Sequence, residues 1–364
     1  MIDYLPLKRV NAPYEQEMTA AMQRVVTSGW YLFGHEVEAF EHEWAAYCGL
    51  TDGQGGAVAC ANGLDALRMV LRAWVEMGRL QEGDQVIVPA NTYIASILAV
   101  SDAGLVPVPV EPDPVTYLID PTRIEDAITA RTRVILPVHL YGQMCDMQSI
   151  MEIATRHGLL VLEDCAQCHG VTDRYMGDAQ AWSFYPGKNL GALGDAGAVT
   201  SADAELLTVV RQLGFYGSVR KYVHRYKGLN SRMDEVQAAV LRIKLPHLAQ
   251  CNERRRAIAA RYCAQVQHPL YTMPQARAQH VWHIFPLITE HRDALQQWLL
   301  SQDIRTLTHY PIPPHRQEAY REWSHLSFPI TERIAACELS IPCHPAMTDA
   351  EVDTIIAALQ AFRG

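Results

Sequence analysis

The sequence predicts an α/β fold: a mostly parallel central sheet flanked by helices, with a smaller α+β unit at the C-terminal end. Three observations predict it. Between residues 57 and 164, short apolar runs alternate with stretches of helical periodicity. Those runs are short and rich in β-branched residues, the pattern of strands covered on both faces. Past residue 250 the pattern changes to isolated strand-like runs among helices, so the chain divides into residues 1–250 and 251–364.

Taken in order, the first fifty residues read as two helices. Met18, Met22 and Val25 mark the apolar face of one, and Val37, Phe40, Trp44 and Cys48 that of the next. The stretch between them carries Trp30 and Tyr31 beside glycines, which either staple a core or line a pocket. A strand at 57–60 turns at Asn62-Gly63 into a helix over 64–77. Residues 85–90 form a strand, 94–103 a helix and 105–110 a strand. Asp120 and Pro121 provide a cap and a first-turn proline for a helix over 122–129. Buried strands at 134–138 and 159–164 enclose a helix over 146–157. A strand-like run ends near Ser183, and a loop follows with Gly187, Gly191, Gly194 and Gly197 around Lys188. Helices are then expected at 204–213, 233–251 and 254–265. The C-terminal unit adds a strand at 283–288 and helices at 292–300, 332–339 and 349–362.

A chain of 364 residues with 49% hydrophobic and 20% charged content can bury a sizeable core and is not disordered. No apolar run is long enough to cross a bilayer. The first nine residues lack a basic segment leading into an apolar one, so the expected compartment is the cytoplasm. A net charge of −9 without a strongly basic segment excludes nucleic acid as the main partner. Nine scattered cysteines, an odd number, read as reduced thiols. Cys165-Ala-Gln-Cys168-His169 spells a c-type haem attachment pattern, but it directly follows a buried strand and no export signal accompanies it. No second ligand pair lies at zinc spacing, so neither haem nor metal is expected.

In open α/β sheets ligands gather at the carboxyl ends of strands. Asn62-Gly63-Leu64-Asp65 opens a helix whose free N–H groups suit a phosphate, or is an ordinary helix entry. Tyr93 puts a ring after a strand, where it either stacks on a planar ligand or caps the core. Asp164 ends a buried strand and needs a partner, either a protonated ring nitrogen or a structural arginine. Lys188 sits among glycines that allow close backbone approach, where partial desolvation would lower its pKa and make it a nucleophile, or it is a solvated lysine in a surface turn. An amine, a strand-end carboxylate, a phosphate-binding helix start and a stacking ring are the parts of a pyridoxal phosphate site.

Eight blocks then carry a resemblance along nearly the whole chain: Ser28-Gly-Trp-Tyr-Leu-Phe-Gly34, Ala61-Asn-Gly-Leu-Asp-Ala-Leu67, Pro89-Ala-Asn-Thr-Tyr93, Val138-His-Leu-Tyr-Gly-Gln143, Glu163-Asp-Cys-Ala-Gln167, Ser183-Phe-Tyr-Pro-Gly-Lys-Asn-Leu-Gly191, Gly228-Leu-Asn-Ser-Arg-Met-Asp234 and His309-Tyr-Pro-Ile-Pro-Pro-His315. In these the sequence resembles the DegT/DnrJ sugar-nucleotide aminotransferases, pyridoxal phosphate enzymes of fold type I. The resemblance implies that Lys188 forms the Schiff base and is the catalytic base. It implies that Asp164 partners the pyridine nitrogen, Gln167 the ring hydroxyl and Tyr93 the ring face. Gly63, Leu64 and Ser183 would hold the phosphate, with Asn230 reaching it from the neighbouring subunit of a homodimer. Where the family usually shows alanine after Gln167, Cys168 stands here.

The same resemblance implies a ping-pong reaction in which glutamate leaves its amino group as pyridoxamine 5′-phosphate and a keto sugar takes it up. The Ser28 to Gly34 block, Asn62-Gly-Leu-Asp65 and Tyr216-Gly-Ser-Val-Arg-Lys-Tyr222 are most like members acting at C3 of dTDP-linked 3-keto-6-deoxyhexoses, with the C4 branch as the alternative. Tyr31, Tyr216, His309 and Tyr310 are the expected contacts to the nucleotide sugar. A sugar dehydratase of this fold would carry histidine in place of Lys188, and a non-catalytic member would have lost Asp164, Lys188 or Asn230.

Overall fold

In the computed structural model, which describes every residue except 51, 52, 54, 172–174 and 276–278, seven strands form the central sheet. They are β1 (Gly56–Cys60), β2 (Gln85–Pro89), β3 (Val106–Val110), β4 (Thr132–Ile135), β5 (Leu160–Asp164), β6 (Ala179–Ser183) and β7 (Gly197–Ser201). Their order is β1-β7-β6-β5-β4-β2-β3, and only β7 runs against its neighbours. The prolines of β3, Pro107 and Pro109, sit on an edge strand, where a missing N–H costs the ladder least.

Gly197, expected in the glycine loop around Lys188, lies in a strand instead. Gly197 opens β7 opposite Cys60. Its run of small residues carries a weak strand signal, yet all five are buried between β1 and β6. A Cβ at Gly197 would stand 2.4 Å from the carbonyl carbon of Asn62, so no larger residue fits the crossing.

The helix Gly63–Glu76 covers the sheet with Leu67, Val70, Leu71 and Trp74 fully buried on its inner side. Asn62 caps it, its side chain accepting from the Asp65 N–H at 2.8 Å. The long helix expected over 233–251 ends earlier. Glu235–Lys244 is followed by the 3₁₀ turn Leu245–His247, because Pro246 has no N–H to continue the ladder. An 18-residue helix, Leu248–Gln265, then runs unbroken across 251–254, where a boundary between helices was expected.

That helix links two hydrophobic cores. Leu248 packs into the core under the central sheet, whereas Ile258, Ala259 and Tyr262 belong to a second core. The second core is built on an antiparallel pair, Phe285–Ile288 with Glu338–Ile341. The helix expected over 332–339 therefore ends at Cys337, and a strand begins at Glu338. Leu339 and Ile341 alternate with Glu338 and Ser340, a period of two that a four-residue stretch does not distinguish from helix by pattern alone.

Candidate active site

Because β2, β4, β5 and β6 are parallel and β1 points the same way across β7, their carboxyl ends share one edge of the sheet. A cleft of about 1060 Å³ opens there. It brings together Gly63, Leu64, Tyr93, Asp164, Gln167, Ser183, Lys188, His309 and Tyr310, nine of the residues singled out from sequence.

Lys188 follows β6 and is half-buried, its backbone N–H donating to Tyr185 O at 2.8 Å. Burial pushes its amine down to about 8, against the opposing pull of Asp164 and Cys168. Asp164, buried at the end of β5, accepts from Ser96 Oγ at 2.8 Å and from the Ala166 N–H at 3.1 Å. Thr92 in turn bonds Ser96 at 2.9 Å. Among the described residues no arginine pairs with Asp164, and Lys188 is the cation facing it.

Gly63 begins the capped helix so close to β6 that an added Cβ would meet the Ser183 Cβ at 2.6 Å. Helix N-terminus and hydroxyl thus form one cradle of donors suited to a phosphate. Gln167 accepts from the Tyr141 N–H at 2.7 Å and donates to Tyr310 Oη at 3.0 Å. The Tyr310 ring lies 5.0 Å from that of Tyr93, so the two aromatics wall one side of the cleft. Burial, then the charge of Lys188, holds His309 down to about 4.

Tyr31, Tyr216 and Asn230 do not line the cleft. They lie together on an exposed face instead. The Glu235 N–H bonds Tyr31 O, Phe215 bridges Asn230, and the Arg232 guanidinium sits 5.6 Å from the Tyr216 ring. Sequence reasoning also missed residues that shape the cleft. Ser96 stands one helical turn after Tyr93, a spacing that could have revealed it. His283 and the N-terminal segment around Tyr4 and Leu5 line the cleft, and Glu338 lies behind it, holding the His309 N–H; all come from distant parts of the chain and carry no local signal.

The fold adds one fact about Cys165 and Cys168. His139 joins them, with ligand atoms all within 4.8 Å of one another. Both nitrogens of His139 are already engaged, Nδ1 with the Cys145 N–H at 3.1 Å and Nε2 with Glu163 at 2.8 Å. His169 is buried against Trp44, Trp182 and Phe184, and burial lowers it to about 3.

The donor set fits pyridoxal phosphate: an amine of lowered basicity, a buried carboxylate without an arginine, a donor cradle that a Cβ would fill, and a ring beside them. Comparison with known proteins agrees. The model of the DegT/DnrJ/EryC1/StrS aminotransferase family matches residues 13–360. The chain is 50% identical to dTDP-3-amino-3,6-dideoxy-alpha-D-galactopyranose transaminase of Aneurinibacillus thermoaerophilus, covering 100% of this chain and 99% of that one. It is 46% identical to dTDP-3-amino-3,4,6-trideoxy-alpha-D-glucose transaminase of Streptomyces venezuelae, over 99% and 96% of the two chains. Among solved structures, S. venezuelae DesV in complex with a ketimine intermediate superposes with a TM-score of 0.93 at 46% identity, over 99% and 97% of the chains. NtdA of Bacillus subtilis with bound cofactor PMP superposes with a TM-score of 0.91 at 32% identity, over 98% and 83%. The chain belongs to the DegT/DnrJ/EryC1/StrS aminotransferase family and is a pyridoxal phosphate-dependent transaminase of fold type I.

Proposed function

We propose that the protein moves an amino group from glutamate to C3 of a dTDP-linked 3-keto-6-deoxyhexose. The observation that carries the chemistry is Lys188, a half-buried amine lowered to about 8 in the same cleft as Asp164. The choice of C3 rests on the two relatives named above, whose products both bear the amine at C3.

Bound pyridoxal phosphate supplies an electron sink for the carbon that gains or loses its amine. The chain's own residues do the rest. The cradle of Gly63, Leu64 and Ser183 holds the phosphate. Asp164, oriented by Ser96, keeps the ring nitrogen protonated, and Gln167 reaches the ring hydroxyl. Tyr93 covers one face of the ring and keeps water from it. Lys188 anchors the resting cofactor and, once released, carries the proton between substrate carbon and cofactor. A basicity near neutral pH suits both duties. His309 and Tyr310 contact the sugar.

In this reading the working unit is a homodimer. The exposed face bearing Tyr31, Tyr216 and Asn230 meets a second copy, so that Asn230 completes the neighbouring phosphate site and the two tyrosines meet the neighbouring nucleotide sugar. The division at residue 250 belongs to the same reading and is supported by the two separate cores. No helix among the described residues is long and apolar enough to cross a membrane. Nine unpaired thiols suit a reducing cytoplasm.

The test is to incubate purified protein with glutamate and a panel of 3-keto and 4-keto nucleotide sugars, and to read product regiochemistry by NMR. Amination at C3 is expected. Amination at C4, or of none of the panel, overturns the assignment.

A further inference from the structure

One buried group beside the cleft has no part in the chemistry so far. Glu338 is fully buried at the start of the strand Glu338–Ile341. Side chains alternate along a strand, so Leu339 and Ile341 enter the second core while Glu338 and Ser340 share the opposite face. That face meets the segment carrying His309. Leu307 and Ser340 bridge as antiparallel partners, with N–H to O distances of 3.1 and 2.7 Å, and two residues further His309 comes opposite Glu338. The His309 N–H donates to Glu338 Oε2 at 2.6 Å, and Glu338 Oε1 shares a hydrogen bond with Ser340 Oγ. Ser340 Oγ lies 2.7 Å from His309 Nδ1, which leaves Nε2 as the ring's remaining nitrogen.

We infer that Glu338, Ser340 and His309 form a proton relay, in which Glu338 stores a proton and His309 delivers it into the cleft. The inference rests on the transamination assigned above. When a carbonyl oxygen is replaced by nitrogen, that oxygen leaves as water and must be protonated to do so. In the charged relay Glu338 Oε1–H donates to Ser340, the Ser340 hydroxyl donates to His309 Nδ1, and His309 carries its proton on Nε2. Discharge moves three protons one step each. The Glu338 proton passes to Ser340 Oγ, the serine proton passes to Nδ1, and the Nε2 proton passes to the departing oxygen. One O–H bond breaks at Glu338 and one forms on the water. Glu338 is left as carboxylate and His309 neutral with its proton on Nδ1, and uptake of one proton from solvent restores the start.

The surroundings suit a stored proton. Burial pushes Glu338 up to about 8. The cation facing it, Arg292, is bonded to Asp293 and to Ala335 O. The other groups facing it are the hydroxyls of Tyr4, Tyr117, Tyr141 and Tyr310, all kept protonated by burial. Burial, then the charge of Lys188, keeps His309 from holding a second proton at rest, and the neighbouring His283 is itself held neutral by burial.

The relay makes His309 change tautomer when Glu338 titrates, which a purely structural contact would not do. ¹⁵N-histidine spectra of the cofactor-free chain test this. The wild type should invert from Nε2–H to Nδ1–H as pH rises through about 8, and Ser340→Ala and Glu338→Gln should each hold one tautomer throughout. A single tautomer in the wild type, or inversion that persists in Ser340→Ala, overturns the relay. With the loaded enzyme, Ser340→Ala should lower kcat about 10²-fold, with KM within about twofold, and Ser340→Thr should restore it. An unchanged kcat in Ser340→Ala also overturns the relay. If the wild type aminates no keto sugar, the substrate reading falls and the spectra alone decide the relay.

Discussion

Gly63 and Ser183 are separated by 120 residues in sequence, yet a Cβ on Gly63 would stand 2.6 Å from the Cβ of Ser183. Any larger residue must push the helix start away from β6 and open the donor cradle. Gly63→Ala should weaken pyridoxal phosphate binding by at least about tenfold, with an overpacking cost of about 1–3 kcal/mol. Cofactor titration by absorbance and a melting curve measure the two effects. Unchanged affinity would place the phosphate elsewhere.

Lys188 yields a second set of expectations. Lys188→Ala should abolish turnover and remove the near-visible band that borohydride reduction abolishes in the wild type. The neutral amine is the nucleophile, so the rate at which the cofactor-free chain captures pyridoxal phosphate should rise with pH and level off above about 8. Stability follows with a definite sign. The unfolded lysine keeps its proton up to its ordinary value of 10.5, while the folded one loses it near 8. Between those values the unfolded chain binds more protons, so the lysine's penalty on the cofactor-free fold shrinks as pH rises through this window. Denaturation of wild type and Lys188→Met at pH 7.5 and 9.5 should show the variant's advantage shrinking at the higher pH.

Ser96 acts through Asp164, to which its hydroxyl donates. Ser96→Ala removes one of the two donors to a buried carboxylate, a loss of about 1–3 kcal/mol of orientation and solvation. Turnover should fall about tenfold with the fold intact. Steady-state kinetics beside circular dichroism check it, and Thr92→Val should produce a smaller change in the same direction.

The N-terminal segment walls the cleft, and Arg9 ties it to the C-terminal helix through two bonds to Glu351, at 2.5 and 2.6 Å. The Arg9 guanidinium holds the Glu351 carboxyl down to about 2. This contribution to stability is present above the ordinary carboxylate value of 4.5 and is lost as pH falls from 4.5 towards 2. Arg9→Ala should raise KM for the sugar several-fold and flatten the pH dependence of stability in that window, which denaturation at pH 3 and 6 would measure.

Much of this architecture is legible in the sequence because a buried parallel strand is a short apolar run, as β2 and β5 are. β7 is not, since Gly197-Ala-Val-Thr-Ser201 owes its strand character to the neighbours on either side. The site divides the same way. Asp164 and Lys188 are conspicuous because a carboxylate ending an apolar strand and a lysine among glycines need an explanation where they stand. Ser96 is an ordinary helical serine until Asp164, 68 residues later, is folded against it. Glu338 is hidden further, because the short stretch around it fits a helix as well as a strand. Tyr31, Tyr216 and Asn230 are legible only through the family resemblance, and they lie off the cleft that this chain builds by itself.

The placement of β7 also bears on how the protein is made. β2 to β5 find their sheet neighbours within one stretch of chain and can pair as they leave the ribosome. β1, the first strand synthesised, pairs only with β7, nearly 140 residues later. Its apolar edge must stay covered without a ladder until then, by the helices His35–Tyr47 and Gly63–Glu76 on either side of it in sequence. The cofactor cradle, which needs β1 and β6 side by side across β7, is therefore one of the last parts of the sheet to assemble. A nascent chain released before residue 201 would hold most of a sheet and no place for the phosphate.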